Sequence, residues 1–316
     1  MTQRQISRVH GLSIPELEVM LHKSCRLIDD SVKLESDILG GWSNINIRGK
    51  SSELDFVLKL PWPLKPDPSY YDYLHASSSF FGKLGIAVSP LAKGALSNGL
   101  PYIIFEYLEG TTYEEIGELS EQEAKLLNQA LHRLHSEKPP NLQSHYSPLD
   151  YLLTSRSMVE SHEGLSKCSE ELANLIHSFN ELEEPILEYA ELLGSWSMSV
   201  MHGDLWIPNV VFQSERAYLL DFENCAYGED NYDLAYFLES PVEPIEAPPA
   251  ILEGYDEERI EELRLVALGW IIWWSLERLL SMESDLIEPN LNTDRSWQAV
   301  MDYTNLKIDR LRDMLS

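Results

Sequence analysis

The sequence predicts an α+β fold in two parts, a small β-rich N-terminal part and a larger helical C-terminal part. Three observations predict it. From Val32 onward apolar and polar residues alternate, the period of half-buried strands. Beyond Gly110 the apolar spacing turns helical, first in "LSEQEAKLLNQALHRLH". A length of 316 residues, 44% of them hydrophobic, is long for one core and comfortable for two lobes. The changeover near residues 107 to 111 sets an N-terminal lobe at residues 1–107 and a C-terminal lobe at 108–316.

Each element has its own local cause. Ser13 as N-cap and Pro15 in the first turn open a helix over about residues 14–27. "VKLESDILGGWSNINIRGK" reads as a hairpin with Gly-Gly at its tip, and "ELDFVLKL" (53–60) as a strand carrying Lys59 in an apolar run. A Pro-rich loop leads to a helix over about 69–83, and "LPYIIFEYLEG" (100–110) is the strand that leaves the sheet. The capping-box pattern from Ser120 to Glu123 starts the first C-terminal helix, and a second long one covers about 169–193. "VMHGDLWIPNVVF" and "RAYLLDFENCAYG" are two short β segments joined by a turn near 213–216, with Pro208 keeping the first out of a continuous helix. "YDLAYFLE" begins another helix. "LVALGWIIWWSLERLL" (265–280) is too short for a membrane span and is broken by Glu277 and Arg278, so it reads as a buried helix.

Composition narrows the partners. There are 24 basic and 52 acidic residues, a net charge of −28, which repels nucleic-acid backbones and anionic membrane surfaces. Neither is expected as a partner. The excess suits either a solvated, self-repelling surface or a field that draws in a cationic small molecule. Cys25, Cys168 and Cys225 form neither a disulfide framework nor a zinc pair, and the first twenty residues lack the apolar core of a signal peptide. A cytoplasmic setting is the expectation. The oligomeric state is not legible.

The chemistry concentrates in a few residues. Asp204 precedes Asn209 by five residues in "HGDLWIPN", and Asp221 follows at the end of an apolar strand in "DFE". Phosphoryl transfer needs a carboxylate beside the attacking hydroxyl, oxygen ligands for Mg²⁺, a cation on the phosphates and a backbone loop that can approach them. Asp204 can accept the proton, and Asn209 and Asp221 can supply hard oxygen ligands. Lys59 can supply the cation, and the glycines and Ser43 of "GGWSN" (40–44) the loop.

"HGDLWIPNVVF" followed by "LLDFENCAYGEDNYDLAYFL" resembles the aminoglycoside phosphotransferase and choline kinase family, strongly over 200–238 and loosely over 38–110. The resemblance implies a bilobal protein-kinase-like fold, with ATP between a small β-rich N-lobe and a larger helical C-lobe. It implies Asp204 as catalytic base, Asn209 and Asp221 as Mg²⁺ ligands, and Glu223 as a further metal or water-shell ligand. Lys59 would hold the α- and β-phosphates under the lid glycine Gly41, with Ser43 and Asn44 over them. The Glu106 carbonyl and Leu108 amide would meet adenine. Asp233 and His202 would be structural, Asp233 capping its helix and bracing the catalytic loop.

One departure stands out. The family's fold pairs the strand lysine with a glutamate on the next helix, but "SYYDYLHASSSFFGKLG" offers only Asp72. Either Asp72 reaches Lys59, or the pair is weakened and Asp72 belongs to a solvated face. The acceptor implied is a small-molecule hydroxyl: an aminoglycoside, a choline-like amino alcohol or a sugar-like compound. Acids in "ESPVEPIEAPPAILEGYDEERIEEL" and the aromatic Trp270, Trp273 and Trp274 suit an ammonium group. The same i, i+3, i+4 tryptophan spacing equally suits a packed helix face. Two competing readings remain, a nucleotide-binding pseudokinase acting as an interaction module and a protein kinase. Against the latter, Asp221 is followed by Phe-Glu, with no activation segment before "NYDLA".

Overall fold

The computed structural model describes residues 8–39, 44–63, 67–112, 117–139, 142, 146–194, 198–286 and 296–316. It has the α+β kinase-like organisation expected, with a sheet-rich N-terminal part and a helical C-terminal part. Of the described residues, those up to Gly110 together with 285–286 form one compact unit, and Thr111–Ser284 with 296–316 form the other. Residues 40–43, which include the predicted lid residues Gly41 and Ser43, lie outside the described residues.

The first unit opens with β1 (Arg8–Val9) and β2 (Leu12–Ser13), joined through His10 and Gly11, both at positive φ. A two-residue hairpin loop with both φ values positive matches the right-handed twist of its strands. Ser13 then caps α1 (Ile14–Ser24) in a full capping box with Glu16. The main sheet is antiparallel, in the order β3 (Lys33–Ile38), β4 (Asn44–Lys50), β5 (Asp55–Pro61), β7 (Pro101–Glu106), β6 (Pro90–Ala95). β5 is central, and Lys59 lies on it between Asn46 of β4 and Ile103 of β7. α2 (Pro68–Lys83), capped by Asp67, packs on β6 and β7.

In the second unit β8 (Thr111–Thr112) pairs with β10 (Val210–Gln213), which forms a hairpin with β11 (Arg216–Leu219). β9 (Ser199–Met201) pairs with β12 (Ala226–Gly228). Around these lie α3 (Glu121–Ser136), α4 (Pro148–Glu160), α5 (Glu170–Leu193), α6 (Asn231–Glu239), α7 (Pro249–Leu252), α8 (Glu257–Glu283) and α9 (Trp297–Leu315). α8 is long and apolar enough to cross a membrane, yet 78% of its most apolar window is buried inside the protein. It packs against α4, α5, α6 and α9, the core role its sequence predicted. Of its tryptophans, Trp273 is core, set edge-on to Phe179 at 4.9 Å, whereas Trp270 and Trp274 are half-buried.

Candidate active site

The two motif blocks meet because β9 and β12 pair antiparallel, Met201 opposite Ala226. The chain leaves β9 into the loop 202–206, makes one 3-10 turn at Ile207–Asn209 that contains Pro208, and enters β10. A 3-10 turn is short by nature, and proline tolerates its first positions. The stretch therefore places its polar residues without becoming a helix.

A buried carboxylate organises the loop. Asp233, fully buried on α6, accepts the backbone N–H of His202 through Oδ2 at 2.7 Å and that of Gly203 through Oδ1 at 2.9 Å. Oδ2 also accepts His135 Nε2–H at 3.0 Å, and His135 Nδ1 meets the Tyr255 hydroxyl at 2.9 Å. These bonds satisfy backbone donors that would otherwise be stranded in the core. The sequence expectation that Asp233 caps its own helix is corrected here. The N-cap of α6 is Asp230, whose side chain accepts from Asn231 N, and Asp233 is turned to the loop instead. Gly203 is obligatory on two counts. Its φ is +77°, and a Cβ there would run into the Asn224 carbonyl and the Tyr151 hydroxyl.

His202 is fully buried and packs on Phe222 of "DFE", ring centroids 4.7 Å apart. Its Nε2 reaches the Leu220 carbonyl at 2.7 Å, and Nδ1 faces the Asp204 N–H at 3.3 Å. A carbonyl only accepts, so Nε2 carries the hydrogen and Nδ1 is the acceptor. Burial lowers the imidazole pKa, and the nearby Asp233 carboxylate opposes this only in part. His202 is a neutral brace between the loop 202–206 and the end of β11.

Asp204 is half-buried at the head of the turn. Its carbonyl accepts from Trp206 N at 3.0 Å and from Asn209 Nδ2 at 2.9 Å, and its Oδ1 accepts from the Tyr236 hydroxyl at 3.0 Å. The amide nitrogen of the buried Asn209 is thereby engaged, which leaves its Oδ1 for a ligand. Asn209 O also accepts Leu220 N–H at 2.8 Å, so Asp221 begins one residue from the asparagine's main chain. Asp221 adopts a left-handed backbone, φ 62° and ψ 62°, at the turn that opens "DFE", and Glu223 follows half-buried. Mg²⁺ takes oxygen ligands, commonly one or two carboxylates with the rest from water and phosphate. An oriented amide oxygen, and an aspartate one residue beyond the Leu220 N–H that bonds the asparagine's carbonyl, fit that demand. Among the described residues no three His, Cys, Asp or Glu side chains converge as a metal site.

The predicted nucleotide residues sit in the first unit. Lys59 is buried on β5, 4% exposed. Asn44 is buried at the start of β4, donating from Nδ2 to the Tyr70 hydroxyl at 2.7 Å and accepting from the Tyr71 hydroxyl at 2.8 Å. Those contacts tie its side chain to α2. Asp72 is 72% exposed and pairs with Lys93 at 2.8 Å, so its carboxylate serves β6 on the solvated face. Of the two alternatives for Asp72, pairing with Lys59 or a solvated face, the structure shows the solvated face. Asp72 lies in the first turns of α2, one residue beyond the buried Tyr71, so its side chain leaves the face packed on the sheet. Glu106 ends β7 opposite Phe56, and Leu108 lies two residues beyond. Between them Tyr107 donates its N–H to the Asp55 carbonyl at 3.1 Å, with Arg48 stacked 3.6 Å from its ring centroid.

Sequence reasoning missed Tyr236 and His135. Tyr236 lies one turn after Tyr232 in an apolar helix, which reads as core packing. His135 stands 98 residues from the aspartate it touches, and no spacing rule links them.

The sequence profile of the family described as "Phosphotransferase enzyme family" (APH) matches residues 36–266. No curated protein sequence matches the chain. Among solved structures, a choline/ethanolamine kinase family protein from Mesorhizobium loti is 14% identical, with a TM-score of 0.58 over 96% of this chain and 94% of that one. The choline kinase LicA from Streptococcus pneumoniae is 16% identical, TM-score 0.60, over 95% and 97% of the two chains. Spectinomycin phosphotransferase APH(9)-Ia, solved with ADP and spectinomycin, is 13% identical, TM-score 0.56, over 96% and 98%. At these identities the likeness is one of fold. The profile match covers most of the β-rich part, both motif blocks and the helix that braces them, and the chain belongs to the phosphotransferase enzyme family.

Proposed function

We propose that this phosphotransferase moves the γ-phosphate of ATP, with Mg²⁺, to a hydroxyl of an amine-bearing small molecule. The observation that carries this is the fixed loop 202–209. One buried aspartate and one neutral histidine hold its backbone, and the Asp204 carboxylate and the Asn209 amide oxygen are carried on that fixed frame.

In this reading Asp204 accepts the acceptor's hydroxyl proton as the oxygen attacks the γ-phosphorus, and ADP leaves. Asn209, Asp221 and Glu223 would hold Mg²⁺, which supplies positive charge to the phosphate oxygens. Lys59 would hold the α- and β-phosphates, and Glu106 O and Leu108 N would meet the adenine. An amine-bearing acceptor is supported by the net charge of −28 and by the half-buried Trp270 beside Tyr236. The choline, ethanolamine and spectinomycin in the names of the structural neighbours point the same way.

The test is ADP release from Mg-ATP across choline, ethanolamine, aminoglycosides and sugars. Asp204→Ala is expected to lower stimulated turnover by about 10²–10⁴-fold while nucleotide affinity holds. Asp221→Ala is expected to remove the Mg²⁺-dependent part of thermal stabilisation by ATP. Equal turnover by wild type and Asp204→Ala sinks the base assignment.

A further inference from the structure

Helix α6 presents a second group to the loop besides Asp233. The Tyr236 hydroxyl donates to Asp204 Oδ1 at 3.0 Å. The tyrosine is buried, its ring edge-on to Trp270 at 6.1 Å and 81° and near-parallel to Tyr232 at 6.2 Å. Burial, reinforced by the Asp204 charge, pushes its phenol well above the ordinary value, so it stays a hydrogen donor. Tyr232, one turn earlier, is as deeply placed, yet its hydroxyl has no hydrogen-bond partner among the described residues.

The backbone bonds of Asp204, to His202, Trp206 and Asn209, fix its main chain. They do not set the torsion of its carboxylate. The Tyr236 bond acts on the carboxylate itself, and Trp270 holds the ring that makes it. We propose that Tyr236 is a positioning residue for phosphoryl transfer, its hydroxyl keeping the Asp204 carboxylate turned to receive the acceptor's proton. This rests on Asp204 being the base.

Tyr236→Phe removes the hydroxyl and keeps the ring. With Mg-ATP and choline, ethanolamine or spectinomycin as probes, kcat is expected to fall about tenfold or more, because misorienting a reacting group is costly. KM for Mg-ATP and Tm are expected to stay at wild-type values, a split that loss of packing would not give. Crystals of the variant are expected to show the Asp204 carboxylate rotated from its wild-type torsion. Wild-type kcat in Tyr236→Phe while Asp204→Asn is inactive overturns the role of Tyr236 and leaves the base in place. Full activity in Asp204→Asn overturns both. A rise in KM for Mg-ATP with a fall in Tm also overturns it, since that marks a structural role. If none of the probes is turned over, the crystals decide: an unmoved carboxylate overturns the proposal and a rotated one supports it.

Discussion

His202 is the residue that first suggests a catalytic base, and its surroundings show a different use. Buried with a neutral ring, it needs one nitrogen as donor to Leu220 O and the other as acceptor from Asp204 N–H. Because burial lowers its pKa in the folded chain, the unfolded chain binds the proton first on acidification. Its contribution to stability is therefore full above the ordinary histidine value and is lost as pH falls below it. The slope from one proton is at most about 1.4 kcal/mol per pH unit. Urea unfolding at pH 7.0 and 5.5 is expected to show a smaller loss for His202→Gln than for wild type. Equal losses would remove this linkage. The family resemblance already implied a structural role for His202. It could not show which carbonyl the ring finds, because Leu220 lies 18 residues on, just past the end of β11.

At the scale of elements, the site depends on α6 being docked against the loop. Asp233 faces three N–H donors and offers two acceptor oxygens. Asparagine at that position would set its own amide hydrogens against a buried donor. Asp233→Asn is expected to cost about 1–3 kcal/mol in denaturant unfolding and to lower turnover. Asp230→Ala is expected to cost about 1 kcal/mol, the value of a helix cap, with turnover retained. Indistinguishable effects of the two would count against a loop-bracing role. The strands and helices that carry these residues were readable from alternation, capping boxes and prolines. Asp233 was legible as a structural acid, and its bracing of the loop was implied by the family resemblance; the capping role expected beside it fell to Asp230, because which acid at a helix start serves as the cap depends on tertiary approach. The choice left open for Asp72 has a related cause, as a carboxylate on a helix names no direction until the helix is docked.

For the molecule as a whole, 52 acidic residues against 24 basic ones leave a self-repelling surface. Salt screens such repulsion, the Debye length shrinking from about 20 Å near 20 mM to about 7 Å near 200 mM. Raising NaCl across that range is expected to stabilise the fold by about 1 kcal/mol, or about 2 °C in Tm. A melting temperature that falls with salt would show instead that the ion pairs outweigh the excess charge. The two-part architecture was legible from the change in periodicity at residues 107–111, and the most apolar helix was correctly read as core. What composition could not supply was the division of labour among Trp270, Trp273 and Trp274, since helical spacing places all three on one broad face. Packing against Phe179 takes only Trp273 into the core.

The left-handed backbone of Asp221 acts as a filter on which amino acids the position accepts. That conformation is open to glycine, and among other residues mainly to asparagine, aspartate and histidine. Hard-oxygen ligation admits aspartate, glutamate and asparagine. The two sets share only aspartate and asparagine, and aspartate alone of these brings a negative charge. If Asp221 takes the proposed role of metal ligand, backbone handedness and ligand chemistry, each permissive alone, together favour one charged residue for that position, and lengthening the acid by a methylene is disfavoured by the main chain before any metal is considered.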